Sequence, residues 1–183
     1  LVALTGGIAC YKTATVVSRL VQGGCNVRVM MTEAATHFVA PLTFESLSGK
    51  AVITSVWQPK EHHESQHVTL ARWADLLIIA PATANLIAKL AAGLCDDIVS
   101  LTASALPRDP KMTPVLLAPA MNAEMWQNPV TQRNVETVRD LLGYQTVGPG
   151  KGWQACRTSG AGRMSEPDEI VNVATRMLQA NPV

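Results

Sequence analysis

No surplus of either charge runs through this sequence: 15 Lys and Arg stand against 14 Asp and Glu, a formal net charge of +1. So balanced a chain lacks the basic footprint that draws proteins to nucleic acid or to an anionic membrane surface. Long apolar runs are missing too, and no stretch reaches the roughly 20 residues that a spanning helix needs. There is no internal repeat and no low-complexity linker. The four cysteines, Cys10, Cys25, Cys95 and Cys156, form no CxxC pair and no framework spacing. That predicts free thiols and a reducing, cytoplasmic compartment. No signal peptide is visible. The sequence starts at Leu1 rather than methionine, so native residues are expected ahead of it. What is there is a chain of 183 residues, 48% hydrophobic and 16% charged, enough for one domain with a sizeable core.

The apolar residues fall into alternating patterns. LVALTGG reads as a buried strand closed by two glycines. Residues 9–22 put Tyr11, Ala14, Val17, Leu20 and Val21 at helical spacing, stopped by Gly23 and Gly24. NVRVMMT is the next strand, ATHFVAPLTFESLS a helical segment broken or started by Pro41, and AVITSV a short strand. Residues 57–66 are polar and read as loop. HVTLARWA is a short helical piece and LLIIAPA a fully apolar strand. TANLIAKLAAG and DDIVSLTASAL are helical, the second begun by Asp96 or Asp97. After the buried strand VLLAPAM, Asn128 and Pro129 open a helix that runs to Leu142. YQTVGPG is a last strand, and Ser165-Glu166-Pro167-Asp168 has capping-box spacing for the final helix. Unbroken apolar strands alternating with helices predict a doubly wound α/β domain with a parallel sheet covered on both faces.

Such sheets bind ligands beyond the carboxyl ends of their strands. Those ends are Thr5-Gly6-Gly7, Thr32-Glu33-Ala34, Pro81 to Asn85, Ala118 to Asn122, and Gly148-Pro149-Gly150, a set rich in small residues. TGGIA is neither GxGxxG nor a Walker loop, and alone reads equally as a tight strand-to-helix turn. Thr83 and Asn85 suit a phosphate or ring cradle, or plain helix capping. Together the strand ends point to a nucleotide-like or flavin ligand. Asn122 suits substrate orientation or a helix cap, and Met121, Met125 and Trp126 suit a site wall or packing. His67 is a candidate acid or base. His62 and His63, flanked by Glu61 and Glu64, have metal-ligand chemistry, but adjacent loop residues rarely form one site and no metal is expected. The stretch GWQACRTSGAGRM, with Cys156 among glycines, has little with which to build a core.

PATAN, PAMNAEMW and ACRTSGAGRMSEP, with His67 ahead of ARWAD, together resemble the flavin-dependent cysteine decarboxylases over nearly the whole chain. The resemblance implies a single Rossmann-like, flavodoxin-like FMN-binding domain over residues 1–183, with a flap at about 150–165. It implies that Gly6, Gly7, Ile8, Thr32, Ala34, Thr83, Ala84, Asn85, Leu86, Ala120 and Met121 bind FMN. Gly7 stands where the family often has serine, and Ala34 where it often has a hydroxyl. Asn122 matches the asparagine that holds a substrate carboxylate, with Met125, Ala155, Arg163 and Met164 beside the substrate. His67 and Cys156 match catalytic residues, Cys156 on a mobile flap that closes over the substrate; Arg157 occupies a position often held by glycine.

The activity so implied is decarboxylation of 4′-phosphopantothenoylcysteine to 4′-phosphopantetheine in coenzyme A biosynthesis. It runs by transient oxidation of the cysteine moiety, with Cys156 giving the proton that saturates the ene-thiol. The family also implies a homotrimer or dodecamer with FMN at a subunit interface, and a fused or separate phosphopantothenate–cysteine ligase. The rivals are a peptidyl-cysteine oxidative decarboxylase, which lacks the ACxxxGxGRM flap, and the flavin prenyltransferase relatives, which lack PAMN. A non-catalytic FMN-binding regulatory subunit would carry an acidic tail or lack the histidine. An electron-transfer flavoprotein would need no His67, Asn122 and Cys156 together.

Overall fold

The computed structural model describes residues 1–57, 65–108 and 112–180. The first half runs β1 (Val2–Leu4), α1 (Cys10–Gln22), β2 (Val29–Met31), α2 (Glu33–Thr36), α3 (Pro41–Ser48), α4 (Gln66–Trp73), β3 (Leu77–Ala82) and α5 (Ala84–Ala92). The second runs α6 (Ile98–Ser104), β4 (Val115–Pro119), α7 (Ala123–Gln127), α8 (Pro129–Asp140), β5 (Gln145–Thr146), β6 (Gly150–Trp153), β7 (Ser159–Arg163) and α9 (Pro167–Ala180).

The first five strands form one parallel sheet in the order β2-β1-β3-β4-β5. Val2 sits opposite both Val29 and Ile78, and Leu77 opposite Val115, so the apolar runs stack in register. Alternate strand residues feed two cores. Ala3, Leu77, Ile79 and Leu117 pack with residues of α4, α5, α6 and α8 on one face. Val2, Leu4, Ile78 and Leu116 pack with α1, α3 and α9 on the other. The doubly wound expectation holds. From β1 the chain steps out to β2, then returns across β1 to β3. The order therefore reverses between β1 and β3, and a crevice opens beyond their carboxyl ends.

Several local expectations shift. AVITSV contributes one isolated bridge, Ile53 to Met30, because the segment meets the sheet only at its edge. YQTVGPG shortens to Gln145–Thr146. The segment around Pro41 splits into α2 and α3, with Pro41 in the first turn of the second. Tyr11 is 60% exposed; the buried stripe of α1 is Cys10, Thr13, Val16, Val17 and Leu20. Helical spacing gives a stripe's period but not its phase.

Asp97 is the residue that starts α6. Its carboxylate accepts from the N–H groups of Val99 and Ser100, Ser100 closes the capping box, and Lys89 Nζ lies 2.8 Å away. Asp97→Ala is expected to cost about 1–2 kcal/mol and lower Tm by roughly 4 °C, measured by calorimetry.

Candidate active site

Beyond the ends of β1, β3 and β4 lies one large cavity of about 960 Å³. That is the upper end of the range of about 300–1,000 Å³ for ligand sites, roomy enough for a cofactor and a substrate together. Its floor is stitched across the switch point. Thr5 Oγ1 donates to Pro81 O at 2.6 Å and accepts from the Thr83 N–H at 3.1 Å. Thr83 Oγ1 in turn caps α5 by accepting from Leu86 N. A Cβ on Gly6 would stand 2.5 Å from the Ala34 Cβ, so only glycine lets this turn pass the start of α2. Among the described residues, no backbone acceptor takes the N–H of Gly6, Gly7 or Ile8. Those amides precede α1 and are available to an anion or a polar ring. A Cβ on Gly7 would meet nothing nearer than 3.6 Å, so its missing side chain leaves space and is not forced by packing.

The opposite wall is a hairpin. The glycine-rich stretch read as a mobile flap folds as the antiparallel pair β6–β7, joined through residues 154–158. Cys156 is exposed at its tip, and the next residue, Arg157, has φ 63, backbone that glycine adopts without strain. Cys156 Sγ lies 3.0 Å from Thr158 Oγ1 and 3.6 Å from Gln154 Oε1. Gly162 sits at φ +125, and a Cβ there would be 2.3 Å from Met121 O; its own carbonyl accepts from the Met121 N–H. The hairpin is thereby sewn to the segment that carries Asn122. Asn122 caps α7, Oδ1 accepting from Met125 N at 2.9 Å, while Nδ2 donates to Glu124. Of the two roles the sequence offers for this residue, the helix cap is formed, and the residue also lines the cavity.

Charge on the walls is partly compensated. Lys89 is held by Asp96 and Asp97; burial pulls its ammonium down, but their hydrogen bonds outweigh that and raise it. Across the cavity, Lys12 Nζ donates to Glu166 at 2.9 Å, and Arg163 pairs with the same carboxylate. The Lys12 hydrogen bond holds the Glu166 carboxyl below its ordinary range. Below the floor, Cys10 donates to Thr5 O, and burial pushes its thiol up.

Gly6, Gly7, Ile8, Thr32, Ala34, Thr83, Ala84, Asn85, Leu86, Ala120, Met121, Asn122, Met125, Ala155, Cys156, Arg163 and Met164 all line this cavity. His67 does not: it lies near the start of α4, half-buried, outside the lining of the cavity. His62, His63, Glu61 and Glu64 fall outside the described residues. Among the described residues no group of three potential metal ligands occurs, and no helix is long and apolar enough to cross a membrane. Sequence reasoning missed Lys12, Lys89 and Gln154 as wall residues. Lys12 comes one helical turn after the glycine turn and Gln154 stands two residues before Cys156, the only local signals either had.

A family model described as Flavoprotein matches residues 1–179. The coenzyme A biosynthesis bifunctional protein CoaBC of Bacillus subtilis is 43% identical over 176 residues, 96% of this chain and 42% of that protein. Its Escherichia coli K12 counterpart is 44% identical over 171 residues, 93% of this chain and 41% of that protein. The chain thus spans about two-fifths of the length of the curated relatives it matches. Among solved structures, a cysteine-to-serine mutant of PPC decarboxylase, complexed with pantothenoylaminoethenethiol, superposes with TM-score 0.85 at 31% identity, covering 97% of this chain and 96% of that one. The FMN-dependent cysteine decarboxylase SpaF superposes with TM-score 0.79 at 30% identity, covering 98% and 94%.

Proposed function

Because this chain belongs to the Flavoprotein family, we propose that its cavity binds FMN and decarboxylates 4′-phosphopantothenoylcysteine to 4′-phosphopantetheine, a cytoplasmic step of coenzyme A biosynthesis. One observation carries the reading. The small-residue cradle at the switch point, the Asn122 cap and the Cys156 hairpin wall a single cavity.

The residues present fit the cofactor. The free amides of Gly6, Gly7 and Ile8 and the Thr32 hydroxyl suit its phosphate and polar edges. Ala34, Thr83, Ala84, Asn85, Leu86, Ala120 and Met121 supply the small or apolar walls that a flat ring requires. Bound FMN supplies a reversible two-electron acceptor, the sink that a simple cysteine carboxylate lacks.

The chain's own residues do the rest. Asn122 Nδ2 has a second hydrogen beside the one given to Glu124, and that hydrogen suits one oxygen of the substrate carboxylate. Met125, Ala155, Met164 and the Arg163 stem enclose the substrate and keep water from the reacting carbon. Cys156 gives its S–H proton to the ene-thiol carbon when the product is saturated, the two electrons being those that the bound acceptor would return, and regains one from solvent at the exposed tip. Incubating FMN-loaded protein with 4′-phosphopantothenoylcysteine and weighing the product tests the reading. Phosphopantetheine supports it; unchanged substrate with flavin bound rejects it in favour of a peptidyl-cysteine decarboxylase or a regulatory subunit. The rival peptidyl-cysteine decarboxylase reading names a second substrate class, peptides ending in cysteine, to be assayed beside the first.

His67, as acid, base or orienting group, belongs to a site only if a second copy brings it there. We therefore place the cavity at a contact between copies, in a trimer or dodecamer, with a ligase domain fused beyond Val183 or separate. The His67→Asn and Cys156→Ser variants are each expected to lose phosphopantetheine formation by about 100-fold or more. Mixed and reassembled, they should recover roughly a quarter of the sites, since each site then draws both intact residues one time in four. No recovery places both residues in one copy's site.

A further inference from the structure

Gln154 is the one large polar side chain of the hairpin tip that is buried, only 8% exposed. Its amide uses every hydrogen-bonding position it has. Nε2 donates to Ala161 O at 2.9 Å and to Met121 O at 3.4 Å. Oε1 accepts from the Ala123 N–H at 3.2 Å and from the Cys156 thiol at 3.6 Å. Three of the four partners are backbone groups, and they fix which way round the amide sits. Flipped, the NH₂ group would face the Ala123 N–H, and the oxygen would face two carbonyls. So an oxygen, not an NH₂, is turned towards the cysteine. Against an acceptor, the sulfur must be the donor. The Thr158 hydroxyl at 3.0 Å is then left to donate to the sulfur.

We propose that Gln154 is a positioning residue: its backbone-locked amide holds the Cys156 S–H fixed against the Asn122 segment, ready to be given to the substrate. This rests on the decarboxylase reading for what the proton is used for, but not for the orientation itself. The amide ties β6, β7 and residues 121–123 together, so the donor and the carboxylate-holding asparagine move as one piece.

The test compares the parent holoenzyme with Gln154→Met, which keeps the volume and loses the amide. The first readout needs no substrate. It is the rate of iodoacetamide labelling of Cys156, followed on its own peptide over a series of pH values. Loss of the amide should raise that rate by about three- to tenfold, the size of one hydrogen bond. Labelling at the parental rate in a folded variant overturns the proposal. The second readout is the ratio of ene-thiol to phosphopantetheine, which should rise in the variant; a ratio that stays put while total turnover falls marks a purely structural role and also overturns it. Should Gln154→Met fail to fold, Thr158→Val decides, since Thr158 is exposed at the tip. Labelling within about twofold of the parent, or slower because the hydroxyl no longer donates to the sulfur, supports Gln154 as the holder of the thiol, and a rise of about tenfold transfers that role to Thr158. If the parent leaves phosphopantothenoylcysteine untouched, the functional reading falls while the labelling still decides the role of Gln154.

Discussion

Cys156→Ser should still release CO₂ from phosphopantothenoylcysteine, yet yield phosphopantetheine about 1,000-fold more slowly, with the ene-thiol accumulating. The reason is acidity. A serine hydroxyl fits the same place between Gln154 and Thr158, but an alcohol gives up its proton far less readily than a thiol. Nothing else at the hairpin tip replaces it. Gln154 has its amide hydrogens committed to two carbonyls. Cys10 is sealed under the floor with its thiol pushed up by burial, so it offers no substitute. Mass spectrometry of the product together with CO₂ release separates the two halves of the reaction. Phosphopantetheine at the parental rate would remove Cys156 from the mechanism.

Gly162→Ala is the second large effect. The backbone there is at φ +125, and the new methyl carbon would be built 2.3 Å from Met121 O and 3.0 Å from Gln154 Nε2. The nearest atom is backbone and cannot swing aside. Overpacking and a disfavoured backbone together cost about 3 kcal/mol, which in a domain of this size lowers Tm by roughly 6–12 °C. The damage falls on the seam between β7 and the Asn122 segment, so the ratio of ene-thiol to finished product should rise as well. Calorimetry reads the first effect and product analysis the second. A melting temperature within about 2 °C of the parent would show that the seam yields without cost.

What the sequence disclosed depended on how local the information was. Strand ends were legible because LVAL, LLIIA and VLLA are unbroken apolar runs, and the residues just after each run gather at the same end of a parallel sheet. Thr83, Asn122 and Asn128 announced helix starts by residue type alone. The β6–β7 hairpin was not legible, because its glycines read as freedom. In the fold two of them are dictated by contact, Gly160 against Ala123 and Gly162 against Met121. Tyr11 was misplaced because an amphipathic period leaves the phase of the stripe open. Gln154 had no signal at all, since its partners at 121, 123 and 161 are fixed only by tertiary docking. Where His67 sits relative to the cavity depends on how α4 packs, which no local pattern encodes.

The ion pair between Lys12 and Glu166 joins residues 154 positions apart. Lys12 belongs to the first helix of this sequence, whereas Glu166 is not made until most of this sequence has been translated. Until then one wall of the cavity is incomplete, although β1 to β4 and every helix that covers them except α9 are already encoded in the emerged chain. A nascent domain of this kind can assemble most of its core before the last wall of its site has emerged. Capture of a ligand by the whole cavity is thereby deferred until the hairpin and Glu166 have emerged, and a chain cut short before the hairpin would present the switch-point cradle open to solvent on that side.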